Sequence, residues 1–218
     1  MAIKPILFNN EMVRTILDGR KTCTRRIVKD GIPDDAMWGY RAFTPKGYIT
    51  CRGVYADGYG EGFYKLPYQP GDILYVRETW QYLYELDGNE QVIEDTGKYY
   101  YAATDTIPFD AYVDENGVTH DHTPWRPSIH MPKEAARIWL KVTDVRVERL
   151  QKITEVQAQA EGCNSGLLTG VCTARGQFED LWNTTIKKSD LDRYGWDANP
   201  WVWVIEFERC EKPEEKRR

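Results

Sequence analysis

The chain has 218 residues, 41% hydrophobic and 29% charged, a balance that fits one generous globular domain and excludes wholesale disorder. Its formal charge of −5 argues against a protein that lives on polyanion affinity. No apolar run approaches the roughly 20 residues needed to cross a bilayer, and Met1-Ala2-Ile3-Lys4-Pro5 lacks the apolar stretch of a signal peptide, so a cytoplasmic chain without a membrane partner is expected.

Ile6-Leu7-Phe8 reads as a short strand. Asn9 and Asn10 offer helix caps, and Met12, Val13, Ile16 and Leu17 follow at helical spacing, predicting an amphipathic helix over 10–18. Gly19 stops it, and Thr22-Cys23-Thr24 leaves as an extended segment. Residues 31–69 are rich in Gly, Tyr and Pro; irregular structure is expected there, with a hairpin at Tyr48 to Val54. Pro70-Gly71-Asp72 is a turn that leads into the strand Ile73-Leu74-Tyr75-Val76. A second variable stretch covers 81–127, with a strand at Tyr99 to Ala102 and a turn at Asp114-Glu115-Asn116-Gly117. Trp125 to Pro132, bracketed by prolines, reads as an ordered loop.

Ile138 to Val142 alternates apolar and mixed residues. The alternation resumes at Val145 and Val147 one residue out of phase, which suggests a bulge at Thr143-Asp144. Thr154-Glu155-Val156-Gln157 is a capping box that opens a short helix, and Gly162 ends it. Phe178, Leu181, Trp182 and Ile186 predict a helix over 177–186. Trp201 to Phe207 reads as a central strand, followed by a charged tail over 209–218. Short strands with three short helices predict an α+β fold or a small barrel.

Five cysteines with no CxxC pair suit a reducing compartment rather than a disulfide framework. His120 and His122 form an H-x-H pair, but no neighbouring cysteine or HExxH helix completes a zinc set, so no metal and no cofactor is expected. Arg20, Lys21, Arg25, Arg26 and Lys29 sit within ten residues. Overall acidity favours a nucleotide-sized ligand for this patch over a nucleic acid.

Lys21 and Thr24, three residues apart in a turn, can bring an amine and a hydroxyl to one side. A threonine hydroxyl needs a base, and lysine serves as one when neighbouring cations or burial favour its neutral form. Cys23, between the two threonines, should point the opposite way as a small buried residue.

The pattern Gly19-Arg20-Lys21-Thr22-x-Thr24-x-Arg26 after a short amphipathic helix resembles the signature of the ASCH domain family. Pro70-Gly71-Asp72-Ile73-Leu74-Tyr75-Val76-Arg77-Glu78, the strand Ile138 to Val147, Ile153-Thr154-Glu155 leading to Glu161-Gly162, and the closing Trp203 to Phe207 match in order. The likeness covers the blocks 3–30, 68–80, 136–163 and 177–208, and is greatest to the long members found in phage and prophage genomes. It implies a PUA-like small β-barrel with short flanking helices, spanning 1–208 as one domain with insertions at about 31–67 and 81–135.

Small members of that family are N(4)-acetylcytidine amidohydrolases using a lysine, a threonine and a glutamate. The resemblance assigns these roles to Lys21 as base, Thr24 as nucleophile and Glu161 as the carboxylate that positions Lys21, with Glu155 the other candidate. Arg26 takes the place of the family's arginine at the substrate or oxyanion. Arg25 stands where an apolar residue is common, which leaves open which arginine faces the pocket. The substrate would be a small-molecule nucleoside. Trp80, Tyr75 or Trp125 are candidates to stack on the base, and Arg77, Glu78, Arg126 and His130 for the pocket rim, with Arg77–Glu78 also readable as a structural ion pair. Rival readings are an RNA-binding PUA-like module and a ribonuclease using Lys21 and Glu161.

Overall fold

The computed structural model describes residues 1–29, 31–85, 87, 89, 91–107, 112–113, 116–120, 124–164 and 173–214. His122, Cys172, half of the expected turn at 114–117 and the last four residues lie outside this set. The described strands are β1 (Ile3–Leu7), β2 (Cys23–Ile27), β3 (Met37–Gly39), β4 (Tyr48–Tyr55), β5 (Gly58–Lys65), β6 (Ile73–Arg77), β7 (Trp80–Leu83), β8 (Lys98–Tyr101), β9 (Tyr112–Val113), β10 (Thr119–His120), β11 (Trp139–Arg149) and β12 (Trp201–Cys210). Four short helices accompany them: α1 (Asn10–Leu17), α2 (Glu155–Ala160), α3 (Ala174–Thr185) and α4 (Leu191–Tyr194). The fold is therefore mixed α+β and mostly sheet. Among the described residues the strands of neither compact unit close into a barrel.

The chain divides into two compact units: Met1–Ala2, Gly19–Ile73 and Lys141–Arg209 form one, and Ile3–Asp18, Leu74–Leu140 and Cys210–Arg218 the other. In the first unit β12 lies between β11 and β2. β12 and β2 are antiparallel, with Glu206 opposite Cys23, Ile205 opposite Thr24, Val204 opposite Arg25 and Trp203 opposite Arg26. Strand alternation therefore puts Cys23, Arg25, Val202 and Val204 on one face, and Thr24, Arg26, Trp203 and Ile205 on the other. The first face is covered by the helices: Cys23, Val202 and Val204 share a buried cluster with Leu150, Ile153, Ala158, Phe178, Trp182 and Trp196.

α2 begins with the expected capping box. Thr154 accepts from the Gln157 N–H and Gln157 accepts in return from the Thr154 N–H. The expected phase change also occurs: along β11 burial passes from Leu140 and Val142 to Val145 within one continuous strand. α3 starts earlier than its apolar spacing alone suggests, because Thr173 caps it through the Gly176 N–H.

Residues 31–69 correct the expectation of irregular structure. They form a three-stranded antiparallel sheet in the order β3-β4-β5. The glycines of Gly58-Tyr59-Gly60-Glu61-Gly62 are not a run of turns; a Cβ on Gly60 would sit 3.3 Å from the Tyr55 ring, and one on Gly62 3.0 Å from its hydroxyl. The absent side chains make room for that aromatic.

The second unit holds α1, capped by Asn9 through the Met12 N–H, with Val13 and Ile16 buried. β7 and β8 form a hairpin in which Trp80 faces Tyr101. The 125–132 loop contains one 3-10 turn at Ser128–His130. No helix among the described residues is long and apolar enough to cross a membrane.

Candidate active site

Gly19, at φ +75, lets the chain turn out of α1 without the steric penalty a side chain would bring. The Thr22 N–H then donates to the Ala160 carbonyl (2.8 Å), and the Thr22 carbonyl accepts from the Phe207 N–H (2.9 Å), so the basic turn lies against the end of α2 and the start of the β2–β12 pairing. Arg20 adds bonds to the Gly162 carbonyl and the Asn164 side chain.

Within this frame Lys21 is almost wholly buried, at 2% exposure. Its Nζ donates to Glu161 Oε2 (2.6 Å), to the Glu161 carbonyl (2.9 Å) and to the Cys23 carbonyl (2.8 Å). Three acceptors match the three N–H groups of an ammonium. Of the charged neighbours, it is the Glu161 carboxylate that contacts the amine directly. The Cys23 carbonyl belongs to the peptide that leads into Thr24, so the amine is held beside the backbone of the candidate nucleophile. Thr24 itself is 1% exposed.

Glu161 caps the C-terminus of α2, where Gly162 takes the left-handed turn at φ +98. Its other oxygen, Oε1, accepts from Arg25 Nη1 at 3.2 Å. The Arg25 side chain is fully buried, and its Nη2 donates to Gln157 Oε1 at 3.3 Å and lies 3.7 Å from Glu148 Oε2. The Arg25 guanidinium sits 5.8 Å from the Phe178 ring centre. Arg25 therefore faces the helical layer, while alternation turns Arg26 to the side of Thr24. Burial holds the Arg26 guanidinium below its ordinary pKa, although the residue keeps some solvent contact; the Glu161 carboxylate and Tyr68 act in the opposite sense. Burial raises the Tyr68 hydroxyl, and Arg26 eases it back.

Of the two glutamates, Glu155 is occupied elsewhere: its carboxylate accepts from the Ala174 and Arg175 N–H groups and so satisfies the first turn of α3. Cys23 is buried, and its thiol pKa is pushed up to about 12, first by burial and then by the Glu161 carboxylate. A thiol so held is no nucleophile at neutral pH. On the Cys23 side of β2 a cavity of about 390 Å³ is lined by Thr22, Cys23, Thr143, Val156, Gln157, Ala160, Glu206 and Phe207, and by none of Lys21, Thr24, Arg26 and Glu161.

The remaining candidates belong to the second unit and make their contacts there. Arg77 does not pair with Glu78, which corrects one reading of that dipeptide. Arg77 donates to the Met131 carbonyl, whereas Glu78, 0% exposed, is bound two-pronged by Arg137 at 2.9 and 2.8 Å. Arg126 lies over the Trp80 ring at 5.4 Å and bridges to its backbone. Trp80, 6% exposed, is a core aromatic, and Tyr75 packs on Trp139.

Gln157, Glu148 and Tyr68 escaped the sequence reading. Gln157 was visible only as half of a capping box, and the other two carry no local pattern that points to residues 21–26. Compared with protein-family profiles, curated proteins and solved structures, the chain matches none.

Proposed function

We propose that this protein is an ASCH-type amidohydrolase with a PUA-like fold, which removes the acyl group from N(4)-acylated cytosine nucleosides. The observation that supports it most is the buried 2.6 Å pair of Lys21 and Glu161, clasped to the peptide that leads into Thr24. Positive charge supports it too: Lys21 and Arg25 both contact Glu161, and Arg26 lies within reach of its field. An anionic tetrahedral intermediate is favoured in such surroundings.

In this reading Lys21 passes a proton to Glu161 and becomes able to accept one. Thr24 Oγ1 attacks the acyl carbonyl carbon as its proton moves to Lys21. The tetrahedral intermediate collapses, the bond to the exocyclic nitrogen breaks, and Lys21 returns the proton to that nitrogen so that cytidine leaves. Water then attacks the threonyl ester as its proton moves to Lys21, and the ester bond breaks. Lys21 hands that proton to Thr24 Oγ1, the carboxylic acid leaves, and Glu161 returns its proton to Lys21. Arg26 stands on the Thr24 side of the strand and faces the developing oxyanion.

The test is to incubate the protein with N(4)-acetylcytidine, and separately with labelled RNA, and to follow cytidine release and strand cleavage. Cytidine release is expected, with losses of roughly 10²–10⁴-fold in Thr24→Ala and Lys21→Ala and a large loss in Glu161→Gln. RNA bound or cut with no cytidine formed would overturn the proposal.

A further inference from the structure

Burying a guanidinium is expensive, and an apolar side chain facing Phe178 at position 25 would serve the core better. Arg25 is nevertheless fully enclosed, and its Nε has no hydrogen-bond partner. What it gains is a specific grip. Its two terminal nitrogens reach Gln157 and Glu161, four residues apart and so on one face of α2, at the first turn and at the cap. Gln157 is itself tied into the capping box, and Glu161 gives Arg25 one oxygen while turning the other to Lys21.

We propose that Arg25 is the positioning residue of the site: by clamping Gln157 and Glu161 together from β2, it sets the rotation of α2 and aims Glu161 Oε2 at the Lys21 amine. This rests on the amidohydrolase reading for its kinetic consequence, but not for its structural one. Lying on the opposite face of β2 from Thr24 and Arg26, Arg25 leaves substrate contact to them.

Arg25→Met and Arg25→Lys separate the possibilities, with rates referred to folded protein measured by circular dichroism. Expected in both is a fall in kcat of roughly ten- to hundred-fold, the size of effect a small misplacement produces, with KM for N(4)-acetylcytidine nearly unchanged. Arg25→Lys keeps the charge but lacks the fork, so a folded Arg25→Lys with a low kcat separates aim from stability. Guanidinium ion added to Arg25→Ala should restore part of the rate, entering from the cavity that Cys23 and Gln157 line.

A second readout needs no activity. The ¹⁵N-labelled Lys21 ammonium should exchange its protons slowly in the wild type and much faster in Arg25→Lys. Full kcat per folded molecule, or unchanged exchange, in Arg25→Lys and Arg25→Met would overturn the role of Arg25. A wild type that releases no cytidine yet shows slow exchange, lost in the variants, would sink the substrate assignment and leave the clamp standing.

Discussion

Glu161 gives one oxygen to Lys21 and the other to Arg25, so one carboxylate serves two buried cations, and Arg25 has a second carboxylate, Glu148, 3.7 Å away. Breaking a buried pair from one side costs about 3–5 kcal/mol, so Glu161→Gln should lose stability as well as rate, and its kinetics must be referred to folded molecules. Cys23 makes a separate prediction. Its thiol has an ordinary value of 9.0 and is pushed up to about 12 by burial, and Cys163 rises likewise to about 11. Below about pH 9 these thiols are neutral in both states; above it the unfolded chain loses their protons and the folded chain does not. Stability should therefore fall as pH rises from about 9 to 12, and Cys23→Ala should flatten that fall in urea titrations at each pH. An equally steep alkaline loss in Cys23→Ala would refute it. At this scale Lys21, Thr24 and Cys23 were legible because they share one short stretch and strand parity sorts them. The partner of Glu78 was not, because Arg137 lies 59 residues away and nothing local announces it.

The capping box of α2 was readable in four letters, and its consequence extends beyond the helix. Six residues are too few for a helix to hold itself in water, so the cap and the packing of Ala158 must supply what propensity does not. Thr154→Ala should cost about 1 kcal/mol by urea denaturation; a loss near zero would show that packing alone fixes the helix. β5 shows where local reading fails. Glycines at every second position imitate a turn-rich loop, but the segment pairs with β4 along its whole length, and two of the glycines leave room for the Tyr55 ring. The early start of α3 is set partly by a remote group: besides the Thr173 cap, its Ala174 and Arg175 N–H groups are satisfied by Glu155, from another helix.

Lys21, Thr24, Arg25, Arg26 and Glu161 all fall in one compact unit, assembled from stretches that the other unit interrupts. The partition into two units was not visible along the chain, since two of its boundaries run through β6 and β11 rather than through linkers. β12 is the strand against which β2 is paired, and its Val202 and Val204 belong to the helical core. A chain ended at Pro200 should therefore fail to fold rather than retain a weakened site; cooperative unfolding of that fragment, followed by circular dichroism, would contradict this. The separation of the charges carries a further consequence for synthesis. Lys21 and Arg25 precede Glu161 by 140 and 136 positions. During translation these cations must stay hydrated until residue 161 emerges, and β2 gains its neighbour only after residue 207 follows. The nascent chain thus carries an unsealed basic edge for most of its growth, an opening for chaperones and for anionic contacts that the finished molecule closes.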